Sequence, residues 1–296
     1  MKSGFVAIIG RPNTGKSTLI NALVGKKVAI TSHHPNTTRH AIRGIVNGQD
    51  LQAVLVDTPG VHKPRTLLGQ RLNEVVNENL NDVDLILVTL PANEVLGKGD
   101  QHILDLIKDS SAKKFALVTK IDAISKEKLP ERLLEIQESL IWDEIIPVSA
   151  IKSLQIDTVL ELLKSYLPEG PLYYPIGQSS DQSTERLISE LIRESAIQGV
   201  REELPHSITV TIDELSKREG KDFMDVNATI HVERDSQRGI LIGHQGKVLK
   251  EIGANARVGI EELLGCKCFL NLHIKVSKEW QRDPRALERL GFLNQD

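Results

Sequence analysis

Short apolar runs alternate with longer, mostly polar segments through the first half of the chain. The runs have the length of β-strands, and they are Phe5–Ile9, Leu51–Val56, Leu85–Leu90, Phe115–Val118 and Ile145–Val148. The segments between them, such as Leu67–Leu80 and Pro130–Leu140, have the length of helices. Strands that alternate with helices predict an α/β domain with a mostly parallel sheet. The loops that follow the strands are then expected to form the ligand-binding edge.

The second half of the chain follows a different pattern. The predicted elements are, in order, a helix over Ser183–Glu203, strands over Ser207–Ile212 and Met224–Val232, a turn at Asp235–Arg238, a short helix around Ile240–Ile242, a helix over Lys247–Leu264 and a strand over Lys267–Val276. The Pro-, Gly- and Ser-rich stretch before them is typical of a linker. We therefore predict a first domain over 1–168, a linker over 169–182 and a smaller α+β domain over 183–296 that ends in a short C-terminal helix.

Composition and charge narrow the class of protein. Hydrophobic residues make up 40% and charged residues 26% of the 296 positions, as in soluble globular proteins. No apolar run reaches the roughly 20 residues of a membrane span, and the N-terminus has no signal-peptide core, so we expect a cytoplasmic protein. Residues 1–170 carry 20 basic and 20 acidic side chains, and residues 200–296 carry 15 and 16. Neither half carries an excess of positive charge, so any nucleic-acid site must depend on a small group of basic residues close together.

The loop after the first strand has the pattern of a nucleotide-binding P-loop. Its sequence is Gly10-Arg11-Pro12-Asn13-Thr14-Gly15-Lys16-Ser17, and Thr18 follows it at the start of a predicted helix. The glycines let the backbone N–H groups point inward at phosphate oxygens, and Lys16 is expected to reach the β- and γ-phosphates. The Ser17 hydroxyl is a predicted Mg²⁺ ligand, and the helix adds the positive end of its dipole.

Two further strand ends complete a predicted guanine-nucleotide site. One strand is followed by Asp57-Thr58-Pro59-Gly60, where the Asp57 carboxylate is expected to hold Mg²⁺ through water and the Gly60 amide can sense a γ-phosphate. Thr119-Lys120-Ile121-Asp122 follows a later strand, and the Asp122 carboxylate can accept from guanine N1–H and its amine, which adenine does not offer. Ser149-Ala150-Ile151 follows the last strand and is expected to close the guanine pocket with backbone amides.

The segment Pro35–His40 is predicted to be a nucleotide-dependent switch. A threonine hydroxyl from this loop can ligate Mg²⁺ only when the γ-phosphate is present, and Thr38 is chosen for that role with Thr37 as the alternative. Val61 stands where many GTPases have a glutamine that orients water, so intrinsic hydrolysis is expected to be slow. Lys16, Thr38, Gly60 and Asn13 are the predicted catalytic residues.

A second phosphate-binding turn is predicted in the other half. Ile242-Gly243-His244-Gln245-Gly246-Lys247 is a G-x-x-G turn between two predicted helices, where glycines let RNA phosphates approach the backbone. Lys250 and Arg257 add local positive charge on the following helix. The order α-β-β-α-α-β with this turn is that of a type II KH domain, which predicts RNA binding. Base contacts are expected from the apolar groove beside Ile240–Ile242 and from the sheet.

Together these motifs resemble the Era family of bacterial ribosome-assembly GTPases over essentially the whole chain. The residues that carry the resemblance are Gly10–Ser17, Asn36–His40, Asp57–Gly60, Thr119–Asp122, Leu167–Pro171, Ile242–Lys247 with Ile252, Gly253, Ala256 and Arg257, and Arg285–Leu287. The family usually has Val where Thr14 stands and Asn where Thr119 stands. The resemblance implies a Ras-like P-loop domain with GTP, GDP and Mg²⁺ as ligands, and binding near the 3′ end of 16S rRNA during maturation of the 30S subunit. It also implies a monomer that associates peripherally with the inner face of the cell membrane, and a K⁺ ligated by Asn13 in place of an arginine finger.

Two other classes of function stay open at this point. One is an ATP-using P-loop enzyme such as a nucleoside kinase, which would show no preference for guanine. The other is an RNA-binding adaptor whose nucleotide site is regulatory and hydrolyses weakly. A tandem GTPase of the Der type is disfavoured because the chain has a single P-loop pattern.

Overall fold

The computed structural model describes residues 1–31, 42–57, 83–198, 207–290 and 292, with Ile42 and Asp57 described by their backbone alone. The helix predicted over Leu67–Leu80 lies outside these ranges. The chain divides into two compact units, and the boundary in the described residues falls between Asp181 and Gln182.

The first unit alternates strands and helices as its hydrophobic pattern predicts. Its described elements are β1 (Lys2–Ile9), α1 (Lys16–Val24), β2 (Ile42–Gly48), β3 (Leu51–Asp57), β4 (Leu85–Pro91), α2 (Lys98–Ile107), β5 (Lys113–Thr119), α3 (Leu129–Ser139), β6 (Glu144–Pro147) and α4 (Ile156–Tyr166). Short 3₁₀ turns at Ile121–Ala123 and Lys126–Lys128 connect β5 to α3.

The strands form one sheet with the order β2–β3–β1–β4–β5–β6. All neighbouring pairs are parallel except β2 and β3, which are antiparallel. The predicted α/β class with a mostly parallel sheet is confirmed. Every residue of β4 is buried, since helices and loops cover both faces of the sheet there. Because β1, β3, β4, β5 and β6 run parallel, their carboxyl ends lie along one edge of the sheet, where the predicted nucleotide-binding loops begin.

Residues 168–181, which we call the connecting segment, pack against the first unit. The side-chain amide of Gln52 holds its middle: Oε1 accepts from the backbone N–H groups of Tyr173 and Tyr174 at 2.8 and 3.0 Å, and Nε2 donates to Tyr174 O at 2.9 Å. Near its end, Ser179 O accepts from Ile45 N of β2 at 2.9 Å. Most of the predicted linker over 169–182 is thus bound to the sheet of the first unit.

The second unit has the predicted order of helices and strands. Its described elements are α5 (Thr184–Gln198), β7 (Thr209–Lys217), β8 (Phe223–Val232), α6 (Asp235–Ile242), a 3₁₀ turn (His244–Gly246), α7 (Lys247–Leu264), β9 (Lys267–Val276) and α8 (Pro284–Arg289). The strand order is β7–β8–β9, in which β8 pairs antiparallel to β7 and parallel to β9. One face of this sheet and the helices α5, α6 and α7 enclose a shared apolar core.

Two predicted boundaries in the second unit are wrong. Strand β7 continues to Lys217 instead of ending at Ile212, because a register shift between Ile212 and Glu214 lets pairing with β8 resume. The turn predicted at Asp235–Arg238 is the first turn of α6. The Gln237 side chain caps that helix, since its Oε1 accepts from Arg234 N at 3.1 Å.

The C-terminal helix packs on the second unit. Trp280 is fully buried just before α8, where its indole N–H donates to Ser207 O at 3.1 Å and its ring stacks on Phe292 at 5.3 Å. Ala286 and Leu287 of α8 are also buried. No helix in the described ranges combines the length and the apolar character needed to span a membrane.

Candidate nucleotide-binding and RNA-binding sites

The loop Gly10–Ser17 joins β1 to α1 in a tightly curled backbone. Asn13 and Gly15 have positive φ angles of 64° and 99°, and Gly15 is the N-cap of α1. Gly10 lies so close to β4 that an added Cβ would come 2.1 Å from the Thr89 hydroxyl. The glycines are thus required for the bend, which lets successive N–H groups face one concavity in the manner of an anion-binding nest.

Lys16 is held inside this loop. Its side chain is only 6% exposed, and Nζ donates to the carbonyls of Gly10 and Arg11 at 2.9 Å each. Ser17 and Thr18 follow in the first turn of α1, whose positive dipole end points to the loop. The loop therefore offers an ammonium, backbone N–H groups and a helix N-terminus, the three donors that a polyphosphate needs.

The Arg11 side chain ties the loop to helix α2 and to the residues just before that helix. Its Nε donates to Asp100 Oδ1 at 2.7 Å and a terminal nitrogen donates to Glu94 Oε2 at 3.0 Å. Partial burial alone would lower the pKa of Arg11, but the hydrogen bonds and charges of Asp100 and Glu94 outweigh it and raise that pKa. Asp100 is 1% exposed and also caps α2 by accepting from Gly97 N. No local sequence pattern marks this anchor, because it joins residues 89 positions apart.

The structure brings the predicted guanine motifs together. The Ser149 hydroxyl donates to Asp122 Oδ1 at 2.5 Å across 27 positions of sequence, which orients an exposed carboxylate. Lys120 has a φ of 57°, and this left-handed residue turns the chain from β5 into the short helix that carries Asp122. Thr119 does not face the solvent: its hydroxyl donates to Thr14 O at 2.6 Å and so ties the motif to the P-loop. Ala150 and the exposed Ile151 continue from Ser149 beside them.

Several predicted residues lie outside the described parts of the chain, namely Thr37, Thr38, Thr58, Pro59, Gly60, Val61 and the side chain of Asp57. The backbone of Asp57 ends β3 and pairs with Ile8, two residues before the P-loop begins. A hydroxyl at Ser17 and a carboxylate at Asp57 are hard oxygen donors of the type that suits Mg²⁺. The residues that the structure describes contain no cluster of three or more His, Cys, Asp or Glu side chains fit to hold a metal.

The G-x-x-G turn of the second unit depends on backbone conformations that favour glycine. Gly243 has φ 69° and ψ −178°, and Gly246 has φ 77° and is the N-cap of α7. An added Cβ at Gly243 would lie 2.4 Å from a methyl of Val248. The exposed residues between the glycines are His244 and Gln245, and Gln245 is itself left-handed with a φ of 52°. The turn thus presents bare backbone beside a helix N-terminus.

Positive charge lies along the helix that follows this turn. Three basic side chains are exposed on one side of α7, namely those of Lys247, Lys250 and Arg257. Ile242 is half-buried at the end of α6, and Ile240 on the same helix is 51% exposed. The predicted RNA-binding residues therefore combine an open backbone turn, a local basic face and an exposed apolar side chain.

A P-loop unit with a guanine motif, joined to an α-β-β-α-α-β unit with a G-x-x-G turn, defines a GTPase that carries a KH domain. Residues 5–120 match the family described as 50S ribosome-binding GTPase, and residues 203–281 match the KH domain family. The chain is 53% identical to GTPase Era of Mycolicibacterium paratuberculosis, over 98% of this chain and 99% of the relative. It is 54% identical to GTPase Era of Mycobacterium tuberculosis, over 98% of both. The chain belongs to the Era family of GTPases.

Solved structures agree with this assignment. An Era variant of Aquifex aeolicus bound to GDP·AlF4⁻ superposes with a TM-score of 0.95 at 34% identity, covering 99% of this chain and 100% of that one. Era in complex with MgGDPNP and nucleotides 1506–1542 of 16S ribosomal RNA superposes with a TM-score of 0.93 at 35% identity, again covering 99% and 100%. The predicted family, the predicted fold and the GTPase prediction are confirmed.

Proposed function

We propose that this chain binds GTP with Mg²⁺, hydrolyses it slowly, and binds 16S rRNA near its 3′ end during assembly of the 30S subunit. The observation that carries the proposal is the near-complete superposition on an Era bound to MgGDPNP and to nucleotides 1506–1542 of 16S ribosomal RNA. The geometry of both candidate sites supports it, because each has the donors and the open backbone that its ligand requires.

In the first unit, the described residues account for nucleotide binding and guanine choice. Lys16 and the N–H groups of Gly10–Ser17 bind the phosphates, and Asp122 selects guanine because Ser149 fixes its carboxylate. Ser17, Asp57 and Thr38 would hold Mg²⁺, which neutralises charge on the β- and γ-phosphates. Hydrolysis is slow on this proposal because valine at position 61 can neither donate nor accept a hydrogen bond to water.

In the second unit, the turn from Gly243 to Gly246 binds the RNA backbone. Its glycines leave room for phosphate oxygens, and Lys247, Lys250 and Arg257 supply positive charge on the helix that follows the turn. Because the basic groups are few and local, RNA binding should depend on sequence and shape more than on net charge.

Binding of an RNA fragment tests the proposal. An RNA with the sequence of nucleotides 1506–1542 of 16S rRNA should bind the full chain about tenfold more tightly with a GTP analogue than with GDP, the coupling expected between two linked sites. Fluorescence anisotropy of labelled RNA measures both affinities, and the reverse complement of equal length is the control. Equal affinity in the two nucleotide states would contradict the proposed switch.

The two alternative functions give different results in simple assays. An ATP-using enzyme would let ATP compete with labelled GDP as well as GTP does, whereas the orientation of Asp122 favours GTP alone. An RNA-binding adaptor with a degenerate site would bind the RNA but release no phosphate from GTP. Preferential binding of GTP together with slow turnover supports the proposed GTPase switch over both.

We also propose that Asn13 helps to bind a K⁺ that assists hydrolysis. One support is that Asn13 is exposed and left-handed within the P-loop. The other is Val61, which cannot orient water as a glutamine would, so that another group has to assist hydrolysis. GTP hydrolysis should be about tenfold faster in KCl than in NaCl at equal ionic strength, a part of the gain that an arginine finger provides. Phosphate release from the parent chain and from Asn13→Ala measures this, and the variant should show no difference between the salts. Equal rates in both salts for the parent chain would remove the idea.

The cytoplasmic location stays a prediction from the hydrophobic pattern. The monomeric state and a peripheral contact with the inner face of the cell membrane stay predictions from the family resemblance. We propose them with the rest of the function. Sedimentation of the purified chain and its partition between cytosol and membrane fractions test them.

A further inference from the structure

Three buried threonines lie in contact beneath the P-loop. Thr14 belongs to the loop, Thr89 to β4 and Thr119 to the end of β5, and they are 1%, 0% and 4% exposed. The hydroxyls of Thr14 and Thr89 are 2.6 Å apart, and the Thr119 hydroxyl donates to Thr14 O at the same distance. Both the backbone and the side chain of Thr14 are therefore tied to the central strands of the sheet.

Each hydroxyl of this cluster can donate one hydrogen bond, and each carbonyl can receive one, in a single arrangement. Thr14 and Thr89 have one hydroxyl proton each, and their possible acceptors are each other, Ile9 O at 3.1 Å from Thr89 and Arg11 O at 3.0 Å from Thr14. Lys16 already donates to Arg11 O. Thr14 can therefore donate to Thr89 and Thr89 to Ile9 O, which leaves no carbonyl of the set without a donor.

Thr89 also fixes how closely the loop approaches the sheet. A Cβ on Gly10 would meet the Thr89 hydroxyl at 2.1 Å and the Thr14 hydroxyl at 2.7 Å. The bare backbone of Gly10 thus packs directly on these two oxygens. The Thr89 hydroxyl is hydrogen-bonded to the Thr14 side chain of the loop and to the carbonyl of Ile9, the residue just before the loop.

We propose that Thr89 is a positioning residue for nucleotide binding. Its hydroxyl holds the Thr14 side chain, and through it the bend that directs the N–H groups of Gly10–Ser17 toward phosphate. Because Thr89 is fully buried against Gly10 and Thr14, its effect on a nucleotide is exerted through the loop. The inference rests on the proposal that a guanine nucleotide occupies this loop.

Removal of one hydroxyl tests the inference. Thr89→Val keeps the shape of the side chain, and we expect GDP to dissociate about fivefold faster and the KM for GTP to rise about as much, the effect of one net hydrogen bond. The kcat should change less than about twofold, because Thr89 does not act on the reacting groups. Thr89→Ser keeps the hydroxyl and should restore the parent GDP dissociation rate.

A double-mutant cycle shows whether the two hydroxyls act as one tether. Thr14→Val removes the same hydrogen bond from the other side, so it should also accelerate GDP dissociation about fivefold. The double variant Thr14→Val/Thr89→Val should be no faster than either single variant, whereas independent effects would multiply to about 25-fold. Should Thr89→Val fail to fold, Thr89→Ala removes the same hydroxyl and takes its place in the cycle.

A buried threonine in the second unit provides a matched control for Thr89→Val. Thr229→Val removes a similarly buried threonine hydroxyl from β8, where it donates to Asp213 at 2.7 Å, and should leave GDP dissociation unchanged. GDP dissociation from folded Thr89→Val within twofold of the parent overturns the inference, and so does a Thr89→Ser variant as fast as Thr89→Val. A parent chain that binds no GDP would instead overturn the proposed function, and the inference with it.

Discussion

Lys16→Ala is expected to weaken GTP binding by about 100-fold or more, because it removes a charged donor from a buried phosphate site. The ammonium is nearly enclosed by the loop and is fixed there by the carbonyls of Gly10 and Arg11. A phosphate that enters the loop thus meets a positive charge whose orientation has been set beforehand. Titration with a fluorescent GTP analogue measures the affinity.

The control for this variant is a lysine from the same unit that lies away from the loop. Lys108→Ala removes an exposed lysine at the end of α2 and should leave GTP affinity as it is. Circular dichroism of Lys16→Ala shows whether the fold is kept. Folded Lys16→Ala with GTP affinity within threefold of the parent would contradict the assigned role.

Gly243→Asp is expected to destroy RNA binding while sparing the nucleotide site. The added side chain forces a Cβ to within 2.4 Å of Val248, in a backbone conformation that L-residues rarely adopt. It also places a carboxylate where an RNA phosphate should lie, and like charges in close contact cost several kcal/mol. We expect RNA affinity to fall by about 100-fold, with GDP affinity unchanged. Anisotropy titrations with the RNA fragment and with labelled GDP measure both.

Two further variants separate charge from backbone strain. Gly243→Ala introduces the same close contact without the charge, so its RNA affinity should lie between those of the parent and Gly243→Asp. Gly220→Asp adds the same charge at another positive-φ glycine, in the turn between β7 and β8, where an added Cβ meets nothing within 4 Å. RNA binding that is lost equally in Gly220→Asp and Gly243→Asp would show a general effect of charge or stability and contradict the role of the turn.

The parts of the fold that sequence predicts well are those with strong local signals. Helix α7 and strand β9 begin and end at the predicted residues. Their periods differ clearly, 3.6 against 2, and the left-handed glycines Gly246 and Gly265 stand at either end of the helix. The P-loop and the G-x-x-G turn also carry local signals, since Gly15, Gly243 and Gly246 stand where the backbone has a positive φ angle.

Contacts between distant residues left no such signal. The ion pair of Arg11 with Asp100 and the hydroxyl pair of Thr14 with Thr89 join positions 89 and 75 apart. Thr89 lies in a strand whose every residue is buried, so no alternation marks it as unusual. The two departures from the family pattern, Thr14 and Thr119, turn out to be hydrogen-bonded to each other. Sequence showed each substitution singly, and only the fold shows that they form one cluster.

The connecting segment determines where a fragment that contains only the nucleotide-binding unit should end. Its backbone and side chains cover the outer strand β2, through Ser179 and through Asp181 N, which donates to Arg43 O at 3.3 Å. A GTPase fragment that stopped at Pro168 would leave the polar edge of β2 open to pairing with other chains, a recognised route to aggregation. A fragment meant to keep the nucleotide-binding unit monodisperse has to extend to Asp181.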